Sequence, residues 1–261
     1  MVIFFDIDGT LIDDRTQIIP DSVPRAISQL RARGHMPVIN TGRPYSHIDP
    51  RIRAMDFGAW VCGCGMEVIL DGKPIYENFP TGELCREVLK IVRDCRMQVL
   101  FEARGGRIFT DGELSTHPVW VQECDRMRKK GFEIRDIDSL EEPLFLKLVT
   151  FDGWDSRHEE FKQRLSPWYT PIERGHTMLE LVKNGSSKAK GMERLLEHLG
   201  VSRADTMAIG DSTNDLPMFE TACHRVCMGG GMRELQDRAE FVTAPVLEDG
   251  ILKALQHYSL I

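Results

Sequence analysis

No stretch of this 261-residue chain stays free of charge for long. The longest run without Asp, Glu, Lys or Arg, Phe57 to Met66, is 10 residues, well short of the ~18 that a membrane-spanning helix requires. No segment is therefore expected to cross a membrane. The apolar opening Val2-Ile3-Phe4-Phe5 is not expected to serve as an export signal either, since no basic region precedes it and Asp6 and Asp8 break it at once. The cysteines do not pair by count. Cys62, Cys64, Cys85, Cys95, Cys124, Cys223 and Cys227 are odd in number and irregularly spaced, which argues against a disulfide framework and for a reducing cytoplasm. Cys62-Gly-Cys64 has neither the second Cys pair nor the downstream His pair of a zinc site. Basic charge is in deficit, 33 Lys and Arg against 40 Asp and Glu for a net charge of −7, so nothing offers an electrostatic footprint to a nucleic acid. Repeats and low-complexity tracts are also absent. What remains is an ordinary globular balance, 42 % hydrophobic and 28 % charged, with enough chain for a sizeable core.

The opening run Val2 to Phe5 is short, apolar on both faces and rich in β-branched and aromatic residues, which predicts a strand buried on both sides. Asp21, Pro24 in a first turn, Val23, Ile27 and Leu30 at helical spacing and Gly34 as a stop predict a helix. Met36 to Ile39 follows as another buried strand, and strand–helix–strand implies a right-handed crossover in a parallel sheet. Far downstream the alternation resumes. Met192, Leu195, Leu196 and Leu199 share a helical face that stops at Gly200, and Thr206 to Ile209 reads as a strand ending at Gly210-Asp211.

Between these halves the texture changes. Leu84, Val88, Ile91, Val92 and Cys95 mark a helix after Thr81; Val99 to Phe109 and Phe145 to Phe151 alternate like antiparallel strands; Ser156 and Glu159 form a capping box before Phe161 and Leu165. Residues 80–185 are therefore expected to form an α+β insertion into a core built from 1–79 and 186–261.

Chemistry concentrates where the predicted strands end. Asp6-Ile7-Asp8-Gly9-Thr10 places two carboxylates at i and i+2 at the carboxyl end of a buried strand, where α/β sheets bind ligands. Two acids in one crevice repel unless a proton or cation lies between them, and oxygen-only ligands suit Mg²⁺. Asp and Gly also serve the plainer purpose of an Asx-type turn. Gly210-Asp211-Ser212-Thr213-Asn214-Asp215 repeats the arrangement before a helix with Pro217 in its first turn, where helix capping is an equally good explanation. Thr41-Gly42-Arg43 ends another strand with a hydroxyl and exposed N–H groups suited to an anion. Lys188 opens the Met192–Leu199 helix, against the helix dipole, while nearby Lys190 is expected to be solvated. Gly229-Gly230-Gly231 is followed by no Gly-Lys-Ser/Thr and reads as a turn.

In this order, the DxDGT segment at Asp6, Thr41-Gly42-Arg43, Lys188 and the GDxxND segment at Asp211 resemble the haloacid dehalogenase superfamily of phosphotransferases, specifically its Cof-type subfamily. Met228-Gly229, Ala239 to Pro245 and Glu248-Asp249-Gly250-Ile251 add to the likeness. The resemblance implies an α/β, Rossmann-like doubly wound parallel-sheet core with the insertion as a C2-type cap that sets substrate specificity. It also implies Mg²⁺-dependent hydrolysis of sugar phosphates or similar small phosphorylated metabolites. Carried onto this chain, Asp6 is the nucleophile that becomes an aspartyl phosphate, and Asp8 is the general acid and base. Asp6 and Asp211 bind Mg²⁺ through carboxylates and Asp8 through its backbone carbonyl, with Asp215 behind them. Thr41, Gly42, Lys188 and Asn214 hold phosphate and substrate.

Asp8 narrows the choice, because cation-pumping ATPases with this nucleophile have Thr there and dehalogenases lack the second acid. A phosphohexose mutase and a non-catalytic phosphometabolite-binding protein are the competing readings. One departure stands out: the subfamily's common Asn-Gly-Ala is here Cys64-Gly65-Met66. Arg104, Arg107, His117, Trp120, Trp168 and His176 have chemistry suited to the cap, and a monomer is the default expectation.

Overall fold

The computed structural model describes residues 1–112, 117–129, 131–173 and 178–261. The apolar opening run is β1 (Val2–Phe5), buried throughout. The stretch after Asp21 is α1 (Ser22–Ala32), which buries Val23, Ala26, Ile27 and Leu30, though the Asp21 side chain makes no capping bond. The chain reverses at Gly34, whose φ of +81° costs glycine nothing. There follow β2 (Met36–Asn40), a short α2 (Pro50–Arg53), β3 (Ala59–Cys62), β4 (Glu67–Leu70) and β5 (Lys73–Glu77). The next stretch runs α3 (Gly82–Asp94), β6 (Gln98–Glu102), β7 (Ile108–Thr110), α4 (Pro118–Lys129), β8 (Ile134–Asp136), β9 (Lys147–Phe151), α5 (His158–Leu165), β10 (Tyr169–Glu173) and β11 (Met178–Lys183). The chain closes with α6 (Lys188–Leu199), β12 (Thr206–Gly210), α7 (Leu216–Thr221), β13 (His224–Cys227), α8 (Arg233–Gln236), β14 (Phe241–Val242) and α9 (Gly250–His257).

Two compact units result, one from Met1–Glu77 with Ser186–Ile261, the other from Asn78–Gly185. The first is the doubly wound α/β fold that the family resemblance implies. Its sheet runs β14-β13-β12-β1-β2-β3-β4-β5, parallel from β14 to β3 and antiparallel across β3, β4 and β5. Strand periodicity divides the core into two layers. Ile3 and Phe5 pack with Val23, Ile27 and Leu30 of α1 and Ile251 and Leu255 of α9. Val2 and Phe4 face Met192, Leu195 and Leu196 of α6 and Phe219 of α7. The chain starts mid-sheet at β1, builds outward through β2 and β3, and later returns to the other flank of β1 with β12. The winding direction reverses at β1, and the crevice at such a switch point is where this architecture accepts ligands.

The second unit has a six-stranded sheet, β10-β11-β9-β6-β7-β8, antiparallel except between β7 and β8. Val88 and Val92 of α3 and Phe161 and Leu165 of α5 pack with Val99, Phe101 and Leu148. Trp120 and Cys124 of α4 pack with Leu100, Val149 and Phe151. Two expectations are corrected here. Val99 to Phe109 is not one strand but β6 and β7 around a turn at Arg104–Gly106, where Gly105 has a φ of +72°. Ser156 and Glu159 make no capping box: α5 begins after Arg157, and Ser156 Oγ instead accepts from Gly153 N–H and donates to the Arg96 carbonyl. The hydroxyl serves a tertiary contact that one-dimensional spacing does not reveal. Thr81 does cap α3, accepting from Leu84 N–H. All seven cysteines are free thiols. No helix among the described residues is long and apolar enough to cross a membrane.

Candidate active site

β1 delivers Asp6 directly to the switch point, where its N–H still donates to the Ile209 carbonyl of β12 at 3.0 Å. The chain does not stay extended beyond it. The Ile7 carbonyl accepts from the N–H groups of Thr10, Leu11 and Ile12, and Gly9 N–H donates to the Ile12 carbonyl, so the motif folds into a tight turn. Gly9 takes a φ of +71°, and a Cβ there would lie 2.4 Å from Asp211 Oδ2. Glycine is thus demanded twice, by conformation and by the approach of the second acidic loop.

That second loop follows β12. Asp215 is fully buried, and its Oδ2 accepts from the N–H groups of Asp211 at 2.9 Å and Ser212 at 3.2 Å. It forms a capping box with Ser212. The two readings of this segment, capping and chemistry, therefore coincide in one side chain. The Asp211 carbonyl accepts from Met232 N–H at 2.6 Å, so the turn after β13 braces the loop from behind. Thr10 Oγ1 lies 3.5 Å from Asp211 Oδ1.

Carboxylate oxygens of Asp6, Asp211 and Asp215 all lie within 4.8 Å of one another. Lys188, buried at the start of α6, sets its Nζ 2.8 Å from Asp6 Oδ1 and 2.5 Å from Asp215 Oδ1. A cation in a first helical turn opposes the helix dipole, and these two carboxylates supply the compensating charge. Burial works to lower the Lys188 pKa, but Asp215 and Asp6 outweigh it and hold the ammonium above its ordinary range. Three acids around one cation remain short of positive charge. Burial pushes Asp6 up to about 7, with Lys188 opposing and Asp215 and Asp8 adding to the rise. Burial, then Asp6 and Asp215, pushes Asp211 up to about 8. Acids that are costly to ionise together are those a hard divalent cation relieves. The donor set, oxygens alone, fits Mg²⁺. The thiols do not compete, since burial raises Cys62 well above its usual range and Cys227 to about 12.

The Asp8 side chain stands outside this trio. It is gripped by Arg43, whose Nε donates to Oδ2 at 2.8 Å and whose Nη2 donates to Oδ1. Thr41 is buried at the end of β2; its Oγ1 accepts from Arg43 N–H at 3.2 Å and its carbonyl from Cys64 N–H at 3.0 Å. Gly42 lies half-buried between them. The Cys64-Gly65-Met66 departure is thus part of the scaffold. Gly65 has a φ of +79°, and a Cβ on it would meet the Ser187 carbonyl at 2.1 Å. Asn214 Oδ1 accepts from Ser212 Oγ at 2.5 Å, which places this side chain within its own turn.

Two contributors were not singled out from the sequence. In the sequence Arg43 stands only as the third letter of Thr41-Gly42-Arg43. Asn40, fully buried at the end of β2, donates from Nδ2 to the Lys188 carbonyl at 3.2 Å and ties the start of α6 to the sheet. A polar residue closing the apolar run Met36 to Ile39 was the available signal. In the other unit, Trp120 is a packing residue and Arg104 lies over the Phe79 ring at 5.3 Å. Arg107 lies over Phe109 at 5.8 Å, and His117 packs on Trp154. Trp168 lines an open cleft of about 730 Å³ with Leu84, Lys90 and Lys183. His176 lies outside the described residues.

The sequence profile of the haloacid dehalogenase-like hydrolases matches residues 3–255. The "Putative phosphatase YkrA" of Bacillus subtilis is 28 % identical over 260 residues, covering 100 % of this chain and 98 % of that protein. The 5-amino-6-(5-phospho-D-ribitylamino)uracil phosphatase YcsE of the same organism is 26 % identical over 266 residues, covering 99 % and 96 %. Among solved structures, BT1666 of Bacteroides thetaiotaomicron, a phosphatase of the same superfamily, superposes with a TM-score of 0.82 at 27 % identity over 100 % of this chain and 95 % of that one.

Proposed function

The chain belongs to the haloacid dehalogenase-like hydrolases and is a phosphatase, and from its site we propose that it hydrolyses small sugar- or polyol-type phosphate monoesters with Mg²⁺ through a phosphorylated Asp6. The observation that carries this reading is the meeting of Asp6, Asp211 and Asp215 around Lys188 at the switch point, with Asp8 held apart from them. The name of the YcsE relative, a phosphatase of a ribityl phosphate, supports the substrate class.

Asp6 and Asp211 would hold Mg²⁺ through carboxylate oxygens, with the Asp8 backbone carbonyl beside them. Asp215, already engaged with Lys188 and two N–H groups, orients Asp211 from behind. Bound there, the ion would neutralise charge on the transferring phosphoryl group.

A carboxylate oxygen of Asp6 attacks phosphorus, the bond from phosphorus to the ester oxygen breaks, and the proton of Asp8 passes to that leaving oxygen. Water then attacks the aspartyl phosphate while Asp8 takes its proton, the Asp6–phosphorus bond breaks and inorganic phosphate departs. Lys188 keeps Asp6 oriented and offsets its charge. Thr41 and Gly42, at the end of β2, and Asn214 hold the phosphate and substrate.

The unit spanning 78–185, where the sequence leads one to expect an insertion at 80–185, acts as the C2-type cap and selects the leaving group. Seven free thiols, six of them buried, suit a reducing cytoplasm. Phosphate release from a panel of hexose, pentose, nucleotide and cofactor monoesters, with and without Mg²⁺, tests the reading. Asp6→Asn is expected to abolish turnover with every substrate and with p-nitrophenyl phosphate; normal turnover by this variant would refute the nucleophile. A mutase would interconvert sugar phosphates and release little inorganic phosphate.

A further inference from the structure

Asp8 has to meet a leaving oxygen in one orientation, and its backbone, fixed in the tight turn after β1, does not by itself set that of the carboxylate. It lies beyond the end of β1, next to Gly9 at a φ of +71°, and its side chain is 39 % exposed. A backbone position alone leaves a carboxylate several staggered rotamers. Arg43 removes that freedom. Its Nε holds Oδ2 at 2.8 Å and its Nη2 holds Oδ1, and a planar fork of this kind fixes the plane of a carboxylate as well as its position. Arg43 is itself anchored at both backbone groups. Its N–H donates to Thr41 Oγ1 at 3.2 Å, and its carbonyl accepts from Gly63 N–H at 2.9 Å. The ends of β2 and β3 thus fix the backbone from which the Arg43 side chain reaches Asp8.

We propose that Arg43 is a positioning residue that holds the Asp8 carboxylate in the orientation from which it serves the leaving-group oxygen. The inference rests on the reading of Asp8 as the acid and base of the reaction. Two anchors matter more than one: either oxygen can take up or release a proton while the other stays held. A single point charge cannot do this, so lysine is a poor substitute.

The test compares leaving groups. An alkoxide departs badly without a proton, whereas p-nitrophenolate departs unaided, so help from Asp8 shows as the ratio of kcat/KM for glycerol phosphate and phenyl phosphate to that for p-nitrophenyl phosphate. For Asp8→Asn the glycerol phosphate ratio is expected to fall about 100-fold. Arg43→Lys, which keeps the charge and loses the fork, and Arg43→Gln, which loses both, are each expected to lower it about tenfold through the same group. Urea unfolding reports folding in every variant, because Asp8 also serves the hydrolysis of the aspartyl phosphate that all substrates share. If Asp8→Asn skews the ratio but both Arg43 variants lower all rates by one common factor, Arg43 serves phosphate binding or folding and the inference is overturned. If Asp8→Asn leaves the ratio unchanged, the acid–base reading fails and the inference falls with it.

Discussion

Without a divalent cation, the crowding of Asp6, Asp211 and Asp215 around one ammonium dictates how stability responds to pH. Burial raises Asp6 from 3.8 to about 7 and, with Asp6 and Asp215 adding their repulsion, Asp211 from 3.8 to about 8. In the unfolded chain both ionise near their ordinary values. Between about pH 4 and pH 8 the folded protein therefore binds more protons than the unfolded one, and stability falls as pH rises. For Asp6 alone the shift corresponds to roughly 4 kcal/mol. The two acids face each other, so the first proton relieves much of the repulsion on the second. Together they account for on the order of 4–6 kcal/mol rather than twice the single value. Mg²⁺ binding to the ionised set is expected to act in the opposite direction, adding about 2.7 kcal/mol at a hundredfold excess over its Kd, and more at high pH because protons compete for the same oxygens. Urea unfolding at pH 5, 6, 7 and 8, in EDTA and in Mg²⁺, measures both effects. Stability in EDTA is expected to fall with pH, the gap between the two series to widen toward pH 8, and Asp211→Asn to flatten the EDTA series. Parallel EDTA series for wild type and Asp211→Asn, or a gap independent of pH, would refute the electrostatic account of the site.

The α/β core was legible because its strands are buried on both faces and announce themselves as apolar runs: Val2 to Phe5, Met36 to Ile39 and Thr206 to Ile209 all fall within the parallel part of one sheet. The second unit was read more coarsely. Its sheet is covered on both faces over only part of its width, so alternation blurs, and the turn at Arg104–Gly106 inside the Val99–Phe109 stretch carries few apolar cues. Ser156 shows the other failure. Spacing alone cannot tell a cap from a hydroxyl recruited by a distant carbonyl, here that of Arg96. At the site, residue types were readable and partnerships were not. Lys188 could be suspected from its misfit with the helix dipole, yet its carboxylate partners lie 182 and 27 residues away, at Asp6 and Asp215. The Arg43–Asp8 fork spans 35 residues and exists only because the turns after β1 and β2 come together.

Two substitutions probe the scaffold of the site. Gly9→Ala places a Cβ 2.4 Å from Asp211 Oδ2 at a φ of +71°. It is expected to cost about 1–2 kcal/mol in backbone strain and to weaken Mg²⁺ binding by displacing Asp211, as read by calorimetric titration; unaltered affinity would show that this loop has room to spare. Lys188→Met removes the ammonium that the buried Asp6 and Asp215 carboxylates share while keeping a side chain of similar length. Breaking a buried pair from one side leaves the partner charge unpaired, so a loss of about 3–5 kcal/mol is expected in urea unfolding at pH 8 in EDTA. The loss should shrink toward pH 5, where Asp6 and Asp211 take up protons and no longer need the ammonium, and it should be partly recovered by Mg²⁺ at pH 8. A change below about 1 kcal/mol at pH 8, or one that does not depend on pH, would mean that solvent rather than Lys188 balances these acids. In that case the raised Asp6 would no longer serve as evidence for a cation site.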